Sequence, residues 1–493
     1  MLTILTTTDS AQRVRDAIGR IDRLGELITL VQQSDAIADL KVLVVEENGI
    51  KIPLDWHDLE PPYVIPSIPY TEEHLLALIF YKLGNHQKAF EFLTEGTPLY
   101  YHVLIATHLQ FGYEISEDMI AFVYSTSPHN QAILHHYGNV ESKVDFPKLK
   151  SMYVHALEQI KNDELKGYAA KHYVNLLLDA QALDEAKEVV EVHRSTVISD
   201  EAKNAMDVHM AAVSMALLQL PYDKAELNKI QELQLQNITY YESRNLKVQA
   251  GLLLIDASEI ANFKGDFIAS KERINKAIQY FKEEDIPEFL GEAGFKKAIL
   301  LYTWSKNGNP QYYKAAINAF QDVLKVFKRD THPRKFADIH HNLALIYSEI
   351  PVGADEKPIW TAFCASSFKE VLAFYTPEEY PYENAMASHN YATALMYFPE
   401  AKLHNNLDKA HSLFQNALQI RTAEEYPFER ALTLLNQLEL GWLSHNENVQ
   451  QELRKYDQMK LKAEEVKTLV TDKNLIAQAD NHLKQLEEVR TLI

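Results

Sequence analysis

The stretch Thr376-Pro-Glu-Glu-Tyr-Pro-Tyr-Glu-Asn-Ala385 returns as Thr422-Ala-Glu-Glu-Tyr-Pro-Phe-Glu-Arg-Ala431. Around it, from Lys314 to Gly441, one pattern is written three times. Phe320, Phe368 and Phe414 each open it. Leu324, Leu372 and Leu418 follow four residues on, then Pro333, Pro381 and Pro427, then Ala337, Ala385 and Ala431, and last Asn342, Asn390 and Asn436. The lags are 368 − 320 = 48 and 414 − 368 = 46. A near-constant period of this size on helical sequence marks stacked helix pairs, each burying its apolar face against its neighbours. The second helices carry Ala316 and Phe320, Cys364 and Phe368, and Ala410 and Phe414. The first helices follow a proline, whose fixed φ suits a helix start and whose missing N–H has no intrahelical partner there. The insertions Pro351–Pro358 and Pro399–Asn406 lengthen the loops within these repeats and should lie along one edge of the array.

Outward from this core the grammar weakens but persists. Leu76-Ala77-x-x-Phe80-x-x-x-Gly84-Asn85-x-x-x-Ala89-x-x-x-Leu93 places small residues where two helices meet, large ones between them and a glycine at the turn. Further pairs are predicted around Tyr173–Val190 (turn at Gln181-Ala182), Asp200–Tyr241 (with Pro221 in a first helical turn), Ala257–Ala269 and Pro287–Phe327. Asn342-Leu343-Ala344-x-x-Tyr347, with Ala89 and Phe80, resembles tetratricopeptide repeats. The longer repeat is similar to the extended form found in kinesin light chains and to repeats that precede caspase-like peptidase domains; no peptidase domain follows here. The resemblance covers about residues 70–443. It implies an all-α fold, a right-handed superhelical α-solenoid of helix pairs, and a protein–protein interaction scaffold that binds a peptide or protein surface in its concave groove. By the same likeness Asn342, Asn390 and Asn436 would form a ladder facing an extended peptide, with His341, His389 and Tyr347 beside it. Yet amides so placed could instead bond neighbouring helices. A regulator that senses a ligand or peptide and controls a partner enzyme is the alternative function.

Residues 1–65 read differently, as a small α/β cap. Asp9 or Ser10 could cap a helix running to about Gln33, with Val14, Ile18, Ile21, Leu24, Leu27, Ile28 and Val31 at helical spacing. Lys41–Leu54 reads as a hairpin about Asn48-Gly49, a dipeptide that supplies positive φ. A linker with Pro61, Pro62, Pro66 and Pro69 follows. Such a region can cover the exposed face of a first repeat, or form a separate functional domain. Residues 446–493 read as two charged amphipathic helices, the second with Ile476, Ala479, Leu483 and Leu486 in a stripe. They fit a C-terminal cap, or a short coiled-coil contact giving a homodimer.

The totals narrow the function. Of 493 residues 46% are hydrophobic and only 15 are glycine, which suits helices with short turns. A net charge of −20 argues against nucleic acid, whose binding needs a basic surface. Lys325, Lys328, Arg329, Arg334 and Lys335 form a basic patch beside acidic Asp355, Glu356, Glu378, Glu379 and Glu383, a mixed polarity that suits a protein ligand. The single cysteine, Cys364, fits a reducing compartment, and the N-terminus lacks the basic region of a secretory signal. With no run near the ~18 apolar residues of a membrane span, the expected location is the cytoplasm. Phosphate loops, hydrolase elbows and metalloprotease motifs are absent, so no enzyme, cofactor or metal is expected. The adjacent His135-His136 and His340-His341 pairs point about 100° apart on a helix, which does not favour chelation of one ion.

Overall fold

The computed structural model describes residues 1–32, 41–141, 143–399, 405–445 and 448–490. The chain divides into two compact units, Met1–Lys264 and Gly265–Ile493.

The first unit opens with a five-stranded sheet: β1 (Leu2–Thr6), β2 (Ile28–Gln32), β3 (Val42–Val45), β4 (Gly49–Lys51) and β5 (Ile68–Pro69), in the order β2-β1-β3-β4-β5. β1 is parallel to both β2 and β3; the β3–β4 and β4–β5 pairs are antiparallel. α1 (Ala11–Gly19) lays Val14, Ala17 and Ile18 into a core shared with Leu2, Ile4, Leu43 and Val45. The helix expected to run to Gln33 therefore stops at Gly19. Arg23 takes a left-handed φ of 58°, Leu24–Leu27 make one 3-10 turn, and Ile28–Gln32 pair with β1 from Leu2↔Ile28 onward. A short apolar run fits a helix face and a buried strand equally, and pairing decides between them. Gln33 itself lies outside the described residues. Ser10 makes no side-chain cap to α1; its hydroxyl donates instead to the Val45 carbonyl at 3.0 Å, tying the helix start to β3. The hairpin at 41–54 forms, but not through a positive φ at Asn48-Gly49. Gly49 is needed for closeness: a Cβ there would stand 3.3 Å from the Ile68 carbonyl oxygen of β5.

Helices then follow one another: α2 (Glu72–Lys82), α3 (His86–Phe90), α4 (Pro98–Phe111), α5 (Glu117–Tyr124), α6 (Pro128–Tyr137), α7 (Phe146–Gln159), α8 (Asp163–Asp179), α9 (Leu183–Arg194), α10 (Asp200–Ala216), α11 (Lys224–Ser243) and α12 (Lys247–Phe263). The turn between α2 and α3 uses Gly84 at φ +81°, and that between α8 and α9 uses Gln181 at φ 57°. Pro221 lies in the loop before α11, whose cap is Asp223, and not in a helical turn.

The second unit holds α13 (Phe267–Glu283), α14 (Pro287–Lys306), α15 (Tyr312–Val323), α16 (Pro333–Glu349), α17 (Lys357–Phe374), α18 (Pro381–Met396), α19 (Asn406–Ile420), α20 (Pro427–Leu443), α21 (Val449–Leu469) and α22 (Lys473–Arg490). α14 pairs with α15, α16 with α17, α18 with α19 and α20 with α21. Phe320, Phe368 and Phe414 are wholly buried, as are Ala316, Cys364, Ala410, Ala337, Ala385 and Ala431. Small side chains bring two backbones together and the ring fills the space beside them. The repeated corner is built twice by the same bonds: Tyr380 N–H donates to the Thr376 carbonyl at 2.9 Å and Tyr426 N–H to the Thr422 carbonyl at 3.1 Å. The threonine hydroxyls accept from the Glu379 and Glu425 N–H groups.

The basic side of the mixed-charge region is mostly paired within the unit. Arg334 pairs with Glu383 and Arg329 with Glu370, each at 3.2 Å, and Lys335 pairs with Glu292 at 2.9 Å. Of the two insertions, Lys357 and Pro358 belong to the first turn of α17, and residues 400–404 of the other lie outside the described residues. α21 and α22 bury Tyr456, Met459, Ala463, Val466, Leu475, Ala479 and Leu486 with Leu434, Leu435 and Leu438 of α20. Of the α22 stripe, Ala479 and Leu486 are buried, Leu483 and Ile476 are partly covered, and Leu475 is buried beside them.

Candidate functional site

In the first unit the proline-bearing connection between β4 and β5 does not pass over the surface as a linker. Residues 53–66 lie against the helices, and every second helix up to α8 reaches for them. Lys82 of α2 donates to Glu60 at 2.6 Å. The ring of His102 in α4 meets the Tyr63 hydroxyl at 2.9 Å. In α6, His129 Nε2 lies 3.1 Å from the Pro62 carbonyl oxygen, and the Asn130 amide engages both backbone groups of Val64. The Val64 N–H donates to Asn130 Oδ1 at 2.9 Å and Asn130 Nδ2 donates to the Val64 carbonyl at 2.8 Å. Lys171 of α8 donates to Asp58 at 2.6 Å and to the Trp56 carbonyl at 3.3 Å; the Trp56 ring stands edge-on to Tyr168, 5.2 Å between centroids. Gln249 of α12 donates to the His57 carbonyl at 3.0 Å. Beside the segment is a hollow of about 510 Å³, bordered by Asp55, His57, Lys82, Glu201 and Arg244.

The histidines here are neutral. Burial pushes His102 and His129 down to about 4, and His172 well below its ordinary value. In α10, His209 is pushed down to about 4 and is bonded to Asn175 at 3.0 Å. Burial also raises the Asp55 carboxyl, opposed by the Glu60 and His57 N–H groups that it accepts.

In the second unit the predicted residues fall into two places. His341 Nε2 and Asn390 Nδ2 lie 2.9 Å apart, joining α16 to α18. His389 Nε2 and Asn436 Nδ2 lie 3.3 Å apart and join α18 to α20, where Asn436 also donates to Thr393 at 2.9 Å. An amide donor on Nε2 leaves the proton on Nδ1; His389 Nδ1 lies 3.1 Å from the Thr433 hydroxyl. Burial pushes His341 down to about 4 and His389 to about 3, the latter helped by Arg421. The histidine's place in α20 is Leu435, so the series of rungs ends there. Asn342 bonds within its own helix, to the Asp338 carbonyl at 2.9 Å. Tyr347 is elsewhere, packed on Trp360 and Phe363 at 5.6 Å from each and bordering a hollow of about 250 Å³ with Tyr397 and Phe398.

These bonds revise what alanine should do. Asn390→Ala removes the donor on buried His341 and should cost about 1–2 kcal/mol. Asn342→Ala should cost under about 0.5 kcal/mol. Urea denaturation of the two variants separates the cases.

Sequence reading missed Asn130, Lys171 and the segment they hold. Trp56, Tyr63 and Ile65 were the available signal, because large apolar groups in a supposed linker need cover; each is under 8% exposed. His135 and His136 turn to different partners, Tyr124 and Tyr153, and no group of three metal-binding side chains converges among the described residues. Nor is any described helix long and apolar enough to cross a membrane.

No protein-family model matches the chain, and no curated protein matches it in sequence. Among solved structures, the crystal structure of yeast Tom70 is similar at 14% identity, over 84% of this chain and 87% of that one, with a TM-score of 0.29. A circular tandem repeat protein with novel repeat topology is similar at 13% identity, over 85% and 94%, with a TM-score of 0.18. Those values leave the assignment of an all-α array of helix pairs, headed by a small sheet, to rest on the packing described above.

Proposed function

We propose that the chain is a protein-interaction scaffold whose alternate helices present a face for a peptide or protein surface, and that it is a binding protein rather than an enzyme. The observation that carries this reading is the segment 53–66: a non-helical stretch is held by side chains of successive alternate helices, most directly by the two-point amide clamp of Asn130 on Val64. A carboxamide both donates and accepts, so it reads a peptide backbone without regard to side chain. In the second unit the corresponding face is proposed to contain Asn342, Asn390, Asn436, His341 and His389, with Tyr347 at its border.

A photo-crosslinking residue at position 390 tests the reading in the native cell, with exposed Lys369 of α17 as the control position. The expected result is a discrete crosslinked protein from position 390 and none from 369. Equal crosslinking from both, or from 369 alone, would move binding off this face.

A further inference from the structure

We propose that the groove of the first unit is itself a peptide-recognition site, occupied at rest by the chain's own residues 54–66 and open to a partner segment of the same chemistry. That chemistry is a non-helical stretch with an aromatic residue, acidic residues two and four positions on, then a proline pair leading into an aromatic and a β-branched residue. The inference rests on the reading that these helix faces bind peptide, and it adds what they select and what stands in the way.

Three observations carry it. The first is the floor of the groove. Lys82, His102, His129, Asn130 and Lys171 are all less than 10% exposed, and each directs polar atoms at the segment. Burying two lysines and three other polar groups under a permanent piece of core is no more stable than packing apolar residues of like volume. A face that is wet whenever its occupant leaves needs such groups.

The second is where the bonds go. Most of the bonds go to the segment's backbone, at the Trp56, His57 and Pro62 carbonyls and both backbone groups of Val64, and the rest to the Asp58 and Glu60 carboxylates and the Tyr63 hydroxyl. The backbone contacts suit any peptide that presents its backbone in this course. Selection is left to the Trp56 and Tyr63 positions and to charge: Asp58 meets Lys171 and Glu60 meets Lys82. That complementarity is the reason for assigning an acidic, aromatic partner.

The third is access. The hollow of about 510 Å³ runs along Asp55–Glu60, so among the described residues one flank of the segment is left uncovered. A competing peptide can enter there while the Tyr63–Ile65 end is still docked.

A fluorescent synthetic peptide of residues 54–66 and the full chain supply the test. Trp56→Ala/Tyr63→Ala should loosen the resident segment and bind the peptide at least tenfold more tightly than the unaltered chain, with helical circular dichroism retained. Adding Asn130→Ala/Lys171→Ala should abolish that gain. Retained helix without the gain would make the segment a fixed strap and overturn the proposal, as would loss of helix. Concentration-dependent dimers that exchange the segment would overturn it in favour of a second copy. Hydrogen exchange on the unaltered protein needs no variant. The Val64 amide should exchange at least tenfold faster than the amides of α8, and faster again with the peptide in millimolar excess; equal rates overturn the proposal. Failure here, with crosslinks from position 390 intact, would leave the scaffold reading standing on the second unit alone.

Discussion

Acidification from pH 7 to pH 5 is expected to weaken the fold by on the order of 2 kcal/mol for each fully buried histidine. His102, His129 and His209 in the first unit have folded values near 4, and His341 in the second is the same. The sign follows from the direction. In the unfolded chain these imidazoles take up a proton below about 6.5; in the folded chain they stay neutral until about 4. As pH falls through that window the unfolded state gains protons that the folded state cannot accept, so stability is lost, and the loss levels off below 4. His129 shows the structural reason. Its Nε2 is engaged by the Pro62 carbonyl, and its Nδ1 is buried with no partner to receive a new N–H. Urea midpoints across this range should fall steeply, and His129→Gln with His102→Gln should flatten the fall. A stability constant between pH 7 and pH 5 would show that these rings are not held neutral. Hydrogen exchange over the same range should show residues 54–66 released before the helices, since two of the four rings lie beneath them.

Replacing Phe368 by alanine should cost about 3–5 kcal/mol, the range for removing a large buried aromatic side chain. Phe368 has no exposed surface and stacks on Tyr391 of the next repeat at 4.8 Å between centroids, so its loss leaves a cavity bounded by rigid helices. The same change at Phe428, which is 49% exposed, should cost under about 1 kcal/mol. Thermal unfolding of the two variants makes the comparison. Similar losses would mean that the repeating phenylalanine does not set the spacing of the pairs.

These two results bear on how the structure is written in the sequence. Phe320, Phe368 and Phe414, with their alanines and prolines, are legible because each repeat packs on its sequence neighbours and so meets the same constraints at the same lag. The corner at Thr376–Tyr380 reappears at Thr422–Tyr426 for that reason. The N-terminal sheet has no such lag. β1 is bonded to residues 28–32 and 42–45, and nothing within Leu2–Thr6 records that. The run from Val14 to Val31 keeps helical spacing while everything after Gly19 is turn and strand. The rungs fall between these cases. His341, His389, Asn390 and Asn436 are visible as repeating positions, but the bond joins a histidine to an asparagine one repeat later, which only the stacking defines. Asn130 carried no repeat signature at all. Its role is set by a segment 66 residues earlier in the chain.

The clamp on Val64 also sets a threshold for anything that comes from outside. Residues 53–66 are fixed at both ends, by β4 before and β5 after, so a displaced segment stays within a short tether of its own groove. A short flexible tether corresponds to an effective concentration of roughly millimolar. A free partner present at roughly micromolar concentration must therefore hold the same floor roughly a thousandfold more tightly to occupy half of the molecules. Weak peptides of similar composition, however abundant, are screened out without any steric barrier. The groove responds only to a ligand that adds contacts the resident segment lacks, and the hollow beside Asp55–Glu60 is where such contacts are available.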